Sequence, residues 1–479
     1  MMKVPRLRIV VPVVFVCVVT AIASPAQNFR TLLNFNGTNG ANPYATLVQG
    51  LDGNFYGTTE FGGPNEAGTV FKITPTGTLT TLYTFPDFSD GCNPGAGLVL
   101  GSDGNFYGTT VTCGGTSSGC PFGCGTVFKI TPAGELTTLH TFDATDGYQP
   151  EAAMIQGANG NFYGTTELGG TNGFGTVFEM TRAGRITTLH SFAGYPADGA
   201  YPTAGLVQVA NGMLFGTTER GGSSRSCETF GGVFGCGTVF KITTGGTLTM
   251  LHSFDSTDGA IPDGGLVQAG TGGLYGTTSD IATSSFGTIF EITPAGTLTT
   301  LYSFCSQAGC ADGSYPSSGL IKATDGNLYG TTEQAGAGNG GTVFEITTAA
   351  TLTTLHSFDE ADGQAPFGAL LQATDGTLYG TTSTGGANEA DGTVFNLSVG
   401  LSPFVQTNPT TGTAGTSVMI LGNTLAGTTS ITFNGTAATF TVVSPTEIKA
   451  FVPTGATTGL VQAITPNGRL RSSAVFQVR

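Results

Sequence analysis

Between residues 27 and 401 the apolar positions do not recur at helical spacing. They fall into short runs cut by Asp-Gly, Asn-Gly, Gly-Gly and Pro-x-Gly turns, the pattern of short strands joined by tight hairpins. An aromatic-Gly-Thr-Thr tetrad starts at Tyr56, Tyr107, Tyr163, Phe215, Tyr275, Tyr329 and Tyr379, at spacings between 50 and 60 residues. A second marker, Gly-Thr-Val/Ile-Phe, follows each tetrad, starting at Gly68, Gly125, Gly175, Gly237, Gly287, Gly341 and Gly392. The unit is therefore complete seven times. In the first copy, turn chemistry predicts strands over 45–49, 54–59, 68–74 and 79–85, with Asp52-Gly53 and Pro75-Thr-Gly77 as hairpin turns.

Four strands per unit and seven units predict an all-β fold, a seven-bladed β-propeller in which each small sheet buries both faces against its neighbours. The turns after the first and third strands are too tight to cross a sheet, so the longer link after the fourth must make the crossing and each blade runs inner strand first. The seventh unit lacks a fourth strand, and an unmatched strand, 31–35, stands ahead of the first unit. That strand is expected to close the last blade as its outermost member and remove a free edge. The same phase sorts the tight turns onto one face and the long, variable loops onto the other, which is where binding sites are expected.

Residues 402–479 have a different texture, with short strands at about ten-residue intervals that predict a small Ig-like β-sandwich. Charge breaks at the same place: Lys and Arg number 9 against 30 Asp and Glu over 27–401, and 4 against 1 afterwards. The first 26 residues carry Lys3, Arg6 and Arg8 ahead of an apolar stretch and small residues, the form of a cleaved signal peptide. The domains expected are thus 1–26, 27–401 and 402–479, the protein being secreted, periplasmic or at the cell surface. Gly 77 and Pro 22 in 479 residues stay below the content of disordered chains and mark corners. The net charge of −15 argues against nucleic acid as a partner, since phosphate recognition needs clustered Lys and Arg.

Export leaves eight cysteines outside the leader, all in long loops, and an even number in an oxidising compartment predicts disulfides. Spacing pairs Cys305 with Cys310 and Cys227 with Cys236. The Gly-Thr-Val-Phe that follows both Cys124 and Cys236 pairs Cys113 with Cys124 by analogy, leaving Cys92 for Cys120.

Three sets of residues are candidates for chemistry. Glu60, Glu167, Glu219 and Glu333 follow the tetrad and point to the long-loop face, as an acidic rim for a cation or sugar hydroxyls or as solvated strand ends. Gln49, Gln156, Gln208, Gln268 and Gln372 sit on inner strands near the channel. Asp87 and Asp90, Asp143 and Asp146, Asp255 and Asp258, Asp359 and Asp362 are weak calcium candidates, read first as Asx-turns; no other metal or cofactor is expected. All four histidines, His140, His190, His252 and His356, occupy one fourth-strand position shared with Tyr83 and Tyr302, which reads as packing and removes Ser/His/Asp chemistry.

The repeats resemble the GloVer tandem repeats of bacterial exported proteins through aromatic-Gly-Thr-Thr, Gly-Gly and Gly-Thr-Val-Phe, with a layout similar to kelch blades. The tail resembles the IPT/TIG immunoglobulin-like family through Pro409-x-x-Gly412-x-x-Gly415, Phe433-Asn-Gly-Thr436, Val452-Pro-x-Gly455-Ala-Thr-Thr-Gly459 and Thr465-Pro-Asn-Gly468. The first resemblance implies an extracellular location without a defined activity, the second a spacer or interaction module. The expectation is a monomeric, exported, non-enzymatic surface protein binding a glycan or another envelope protein. The alternatives are a carbohydrate-active enzyme, glycosidase or lyase, using carboxylates on the long-loop face, and a purely structural envelope protein.

Overall fold

The computed structural model describes residues 27–479 except 87–88, 116–118, 228–233, 270–271, 280–285 and 388–390. The expected signal peptide and Asp87 lie outside the described residues. Seven four-stranded antiparallel sheets form a seven-bladed propeller. The first blade contains Val48–Gln49, Phe55–Thr59, Thr69–Ile73 and Leu79–Thr84, hydrogen-bonded in that order from the inside outwards. Its second strand is wholly buried and its third nearly so, as expected of strands covered on both faces.

The tetrad explains how the blades pack. A Cβ on Gly57 would lie 2.7 Å from Phe71 Cζ, and the tetrad glycine of every blade meets the aromatic ring of the adjoining Gly-Thr-Val/Ile-Phe strand at 2.5–2.7 Å in the same way. Only hydrogen fits there. The first threonine hydroxyl of each tetrad donates to a carbonyl of the next blade, from Thr58 to Ala96 O at 2.9 Å round to Thr381 and Ala45 O at 3.1 Å. The second pairs with the threonine of the neighbouring strand, as Thr59 does with Thr69 at 2.8 Å. These buried hydroxyls are thereby satisfied in the dry space between sheets.

The ring closes as expected. Asn28–Asn34 pairs antiparallel with Thr393–Ser398, completing a blade with Leu378–Thr382 and Leu371–Gln372. Phe35 is fully buried and packs edge-on against Phe71 at 5.3 Å, so the chain start belongs to the core joining the last blade to the first.

All eight cysteines between residues 27 and 479 are paired. Cys227–Cys236 and Cys305–Cys310 close single loops. The other two pairings correct the analogy drawn from Gly-Thr-Val-Phe: Cys92 bonds Cys113, and Cys120 bonds Cys124. The reason is a contact made between blades. The inter-blade link crosses the end of the next tetrad strand, Cys92 and Thr112 exchange backbone hydrogen bonds of 2.9 and 3.2 Å, and Cys113 is set beside Cys92. Four disulfides fit an oxidising extracellular or periplasmic location. Among the described residues no helix is long and apolar enough to cross a membrane.

The tail is all-β, as expected. Its strands form one rolled nine-stranded sheet around a single core. The eleven-residue strand Gly468–Val478 pairs with Gly459–Thr465 and, in parallel, with Val405–Asn408 and Thr411–Gly412, so it joins both halves of the tail. The tail rests on the tight-turn face: Asn408 Nδ2 donates to Leu100 O at 3.0 Å and Thr446 Oγ1 to Leu51 O at 2.8 Å.

Candidate active site

The long-loop face is built by one backbone device repeated in every blade. The residue before the link proline, Asn42, Asn93, Gln149, Tyr201, Ile261, Tyr315 or Ala365, has φ between 54° and 58°. Its carbonyl accepts the N–H of the residue after the tetrad, Glu60, Val111, Glu167, Glu219, Ser279, Glu333 or Ser383, at 2.9–3.1 Å. A β-branched residue such as Ile261 is strained in that region, and such strain persists only where the surroundings impose it. The turn brings the residue after each proline to the channel mouth: Tyr44, Gly95, Glu151, Thr203, Asp263, Ser317 and Phe367 all line one cavity of about 690 Å³, together with Glu60, Glu219, Glu333 and Arg220. That volume is ordinary for a small-molecule site, roughly 300–1,000 Å³.

Acids dominate the cavity from the third blade to the sixth, and Glu60 enters from the first. Burial raises the carboxyl of Glu60 to about 7, with repulsion from Glu151 adding to it. Glu151 and Glu167 interact with each other, and desolvation raises both carboxyls, with repulsion from Glu151 adding to the rise at Glu167. Asp263 is pushed up to about 8 by burial first, then by Glu219 and Glu333. Its Oδ2 accepts a hydrogen bond from Ser279 Oγ at 2.7 Å, while its Oδ1 is buried without a partner. Glu219 is held by Arg220 Nε at 3.1 Å. Tyr44 and Phe367, with ring centroids 5.1 Å apart, line the same cavity from the first and seventh blades, across the ring from the fourth.

Of the residues singled out in the sequence, Glu60, Glu219 and Glu333 meet in this cavity and Glu167 stands behind Glu151. Glu60 and Glu167 are half-buried, and desolvation raises both carboxyls. Glu151 and Asp263 were missed. The available signal was that they are the two acids immediately after a link proline.

The inner-strand glutamines go elsewhere. Gln156 accepts from Ser102 N at 2.8 Å and donates to Gly160 O at 3.0 Å, and Gln208, Gln49 and Gln372 likewise tie adjacent blades on the tight-turn face. Gln268 donates to Gly272 O at 3.5 Å, within its own blade. The calcium candidates divide by role. Asp146, Asp258 and Asp362 accept from His140, His252 and His356 at 2.7–2.9 Å, and Asp90 from Tyr83. Asp143, Asp255 and Asp359 accept backbone N–H groups of their own loops, as Asx-turns do. The shared His/Tyr position is thus a hydrogen-bond anchor for the link. Among the described residues no three His, Cys, Asp or Glu side chains converge to hold a metal.

The sequence profile of the Gloeobacter/Verrucomicrobia repeat matches residues 17–230 and 225–443. The chain belongs to that family. No curated protein matches it in sequence. Among solved structures, this Gloeobacter/Verrucomicrobia repeat protein is similar to a fungal alcohol oxidase in complex with copper, at 14% identity and a TM-score of 0.51 over 94% of this chain and 98% of that one. It is also similar to a luciferin-regenerating enzyme, at 14% identity and TM-score 0.40 over 63% and 89% of the two chains. A gluconolactonase from Xanthomonas campestris gives 15% and 0.39 over 69% and 89%. Such likeness shows the fold alone. The expectation of a non-enzymatic surface binder is corrected here: the solved propeller that spans nearly the whole chain is an enzyme, and the long-loop face of this repeat protein holds desolvated carboxyls. Copper does not fit this cavity. Its described lining offers carboxyl, hydroxyl, amide and guanidinium groups without imidazole or thiol.

Asp263 makes the stability of the repeat protein depend on pH. Its carboxyl rises from an ordinary 3.8 to about 8 on folding, so between those limits the folded chain binds the extra proton and stability falls as pH rises. Urea melts from pH 4 to 8 are expected to show that fall, and Asp263→Asn to flatten it.

Proposed function

We propose that the chain is a carbohydrate-active enzyme that cleaves glycosidic bonds with the carboxyl groups of the long-loop cavity. The observation that carries this reading is the convergence of carboxyl groups on one cavity, where Glu151, whose carboxyl is raised and interacts with that of Glu167, lines the same space as Glu219. Glycoside cleavage needs a carboxylic acid still protonated at neutral pH to protonate the leaving oxygen, and a second carboxylate to activate water or meet the developing positive charge. Glu151 supplies the proton, with Glu167 as its positioning partner. Glu219, fixed by Arg220, is the second carboxylate. Tyr44 and Phe367 offer apolar ring faces on which a pyranose can stack.

The seven-bladed ring is the rigid frame, and the tail, with its likeness to IPT/TIG modules, acts as a spacer outside the cell. The test is turnover. The full chain, given a panel of oligosaccharides differing in linkage and sugar, is expected to release reducing ends from at least one of them. Release of an unsaturated sugar end would mark elimination instead of hydrolysis, and no cleavage of any member would overturn the reading.

A further inference from the structure

Building on the reading of the cavity as a glycan-cleaving site, we propose that its substrate is an amino sugar glycan, with a protonated amine seated at Asp263. Three observations converge. Glu60, Glu151, Glu219, Asp263 and Glu333 line the cavity, and the only basic residue among the described lining, Arg220, is already engaged with Glu219. A uronic acid chain would meet that carboxyl field as a like charge; an ammonium would relieve it. Second, Asp263 Oδ1 and Thr203 Oγ1 are buried with no hydrogen-bond partner, both line this cavity, and they occupy equivalent positions on adjacent blades. Buried polar atoms left unpaired are costly, and two in one cavity mark groups that a ligand completes. Third, no three potential ligands converge to bind a metal among the described residues, whereas an ammonium carries three N–H donors and can serve the carboxylate, the hydroxyl and Glu219 together.

The proton balance is simple. Repulsion from Glu219 and Glu333 and burial keep a proton on the empty Asp263 at neutral pH. Seating an ammonium favours the carboxylate, and that proton leaves to solvent. No bond to carbon forms or breaks in this step.

The experiment is calorimetric titration of the full chain near pH 6.5 with three oligomers of equal length: β-1,4-linked glucosamine, its N-acetylated form, and the glucose counterpart. The glucosamine oligomer is expected to bind at least about tenfold tighter than the others, less so at high salt, with proton release seen as a dependence of the heat on buffer ionisation. Asp263→Asn is expected to reduce the preference to within about twofold while the glucose oligomer binds as before. Thr203→Val, which removes only the hydroxyl, is expected to weaken the preference by a smaller factor. Equal or tighter binding of the neutral oligomers by the unmodified chain overturns the inference, as does a preference that survives in both variants. Cleavage is read separately. Release of reducing ends without amine preference would sink the inference and leave the enzymatic reading standing; amine preference with no oligomer cleaved would do the reverse.

Discussion

Replacing Glu151 with glutamine is expected to lower kcat for glycan cleavage about 10²–10⁴-fold, the usual contribution of a general acid. Binding should change little, because the amide keeps the size of the side chain and loses only the proton it delivers. Glu151 and Glu167 interact with each other and desolvation raises both, so the acid keeps its proton to higher pH than a free carboxyl does. Activity therefore falls on the alkaline side, as pH rises through the raised titration of the pair. Glu167→Gln tests the pairing separately. Glu167 is the one influence that lowers the Glu151 carboxyl, while burial and the repulsion of Glu219 raise it, so without Glu167 the alkaline limb should move to higher pH. The double variant should cost little more than Glu151→Gln alone, since the two act as a unit. A pH profile identical in the wild type and Glu167→Gln would refute the coupling of Glu151 to Glu167.

The second large effect is on stability. Phe35→Ala should cost about 3–5 kcal/mol, as truncation of a fully buried phenylalanine does. Phe35 has no exposed surface and sits in the cluster that joins Leu47, Phe55 and Phe71 of the first blade to Tyr379 and Val394 of the last. Deleting 27–35 should cost more, because it also strips the pairing of Asn28–Asn34 from Thr393–Ser398 and exposes a strand edge. Urea unfolding of the full chain checks both. An unchanged midpoint after the deletion would mean that the ring does not depend on its closing strand.

Much of this architecture was legible because it is periodic. The tetrads and Gly-Thr-Val/Ile-Phe starts measure out the blades, and the turn residues between them set which strands neighbour which. Even the closing strand could be read, as one unmatched strand and one vacancy. The cysteines show where that legibility stops. Cys227 with Cys236 and Cys305 with Cys310 close loops on themselves, so spacing was enough. Cys92 with Cys113 depends on a link crossing the neighbouring strand end, a contact that spacing does not encode. The tail was legible only in part. Its strands were visible, but the reach of Gly468–Val478 across both halves was not.

The candidate site divides along the same line. Glu60, Glu167, Glu219 and Glu333 could be placed on the correct face from the repeat alone, because the residue after Thr-Thr has one orientation in every blade. Glu151 and Asp263 could not, since nothing in a link marks the residue after its proline as inward until the positive φ ahead of that proline is seen. By itself, then, the sequence determined seven sheets, their order and the face on which loops gather, all consequences of local turn chemistry and a regular period. The tertiary structure decided that Glu151 meets Glu167 and that Asp263 faces Glu219 and Glu333. Desolvation and repulsion act through space between different blades, and they turn surface acids into proton carriers only when the ring has closed around them.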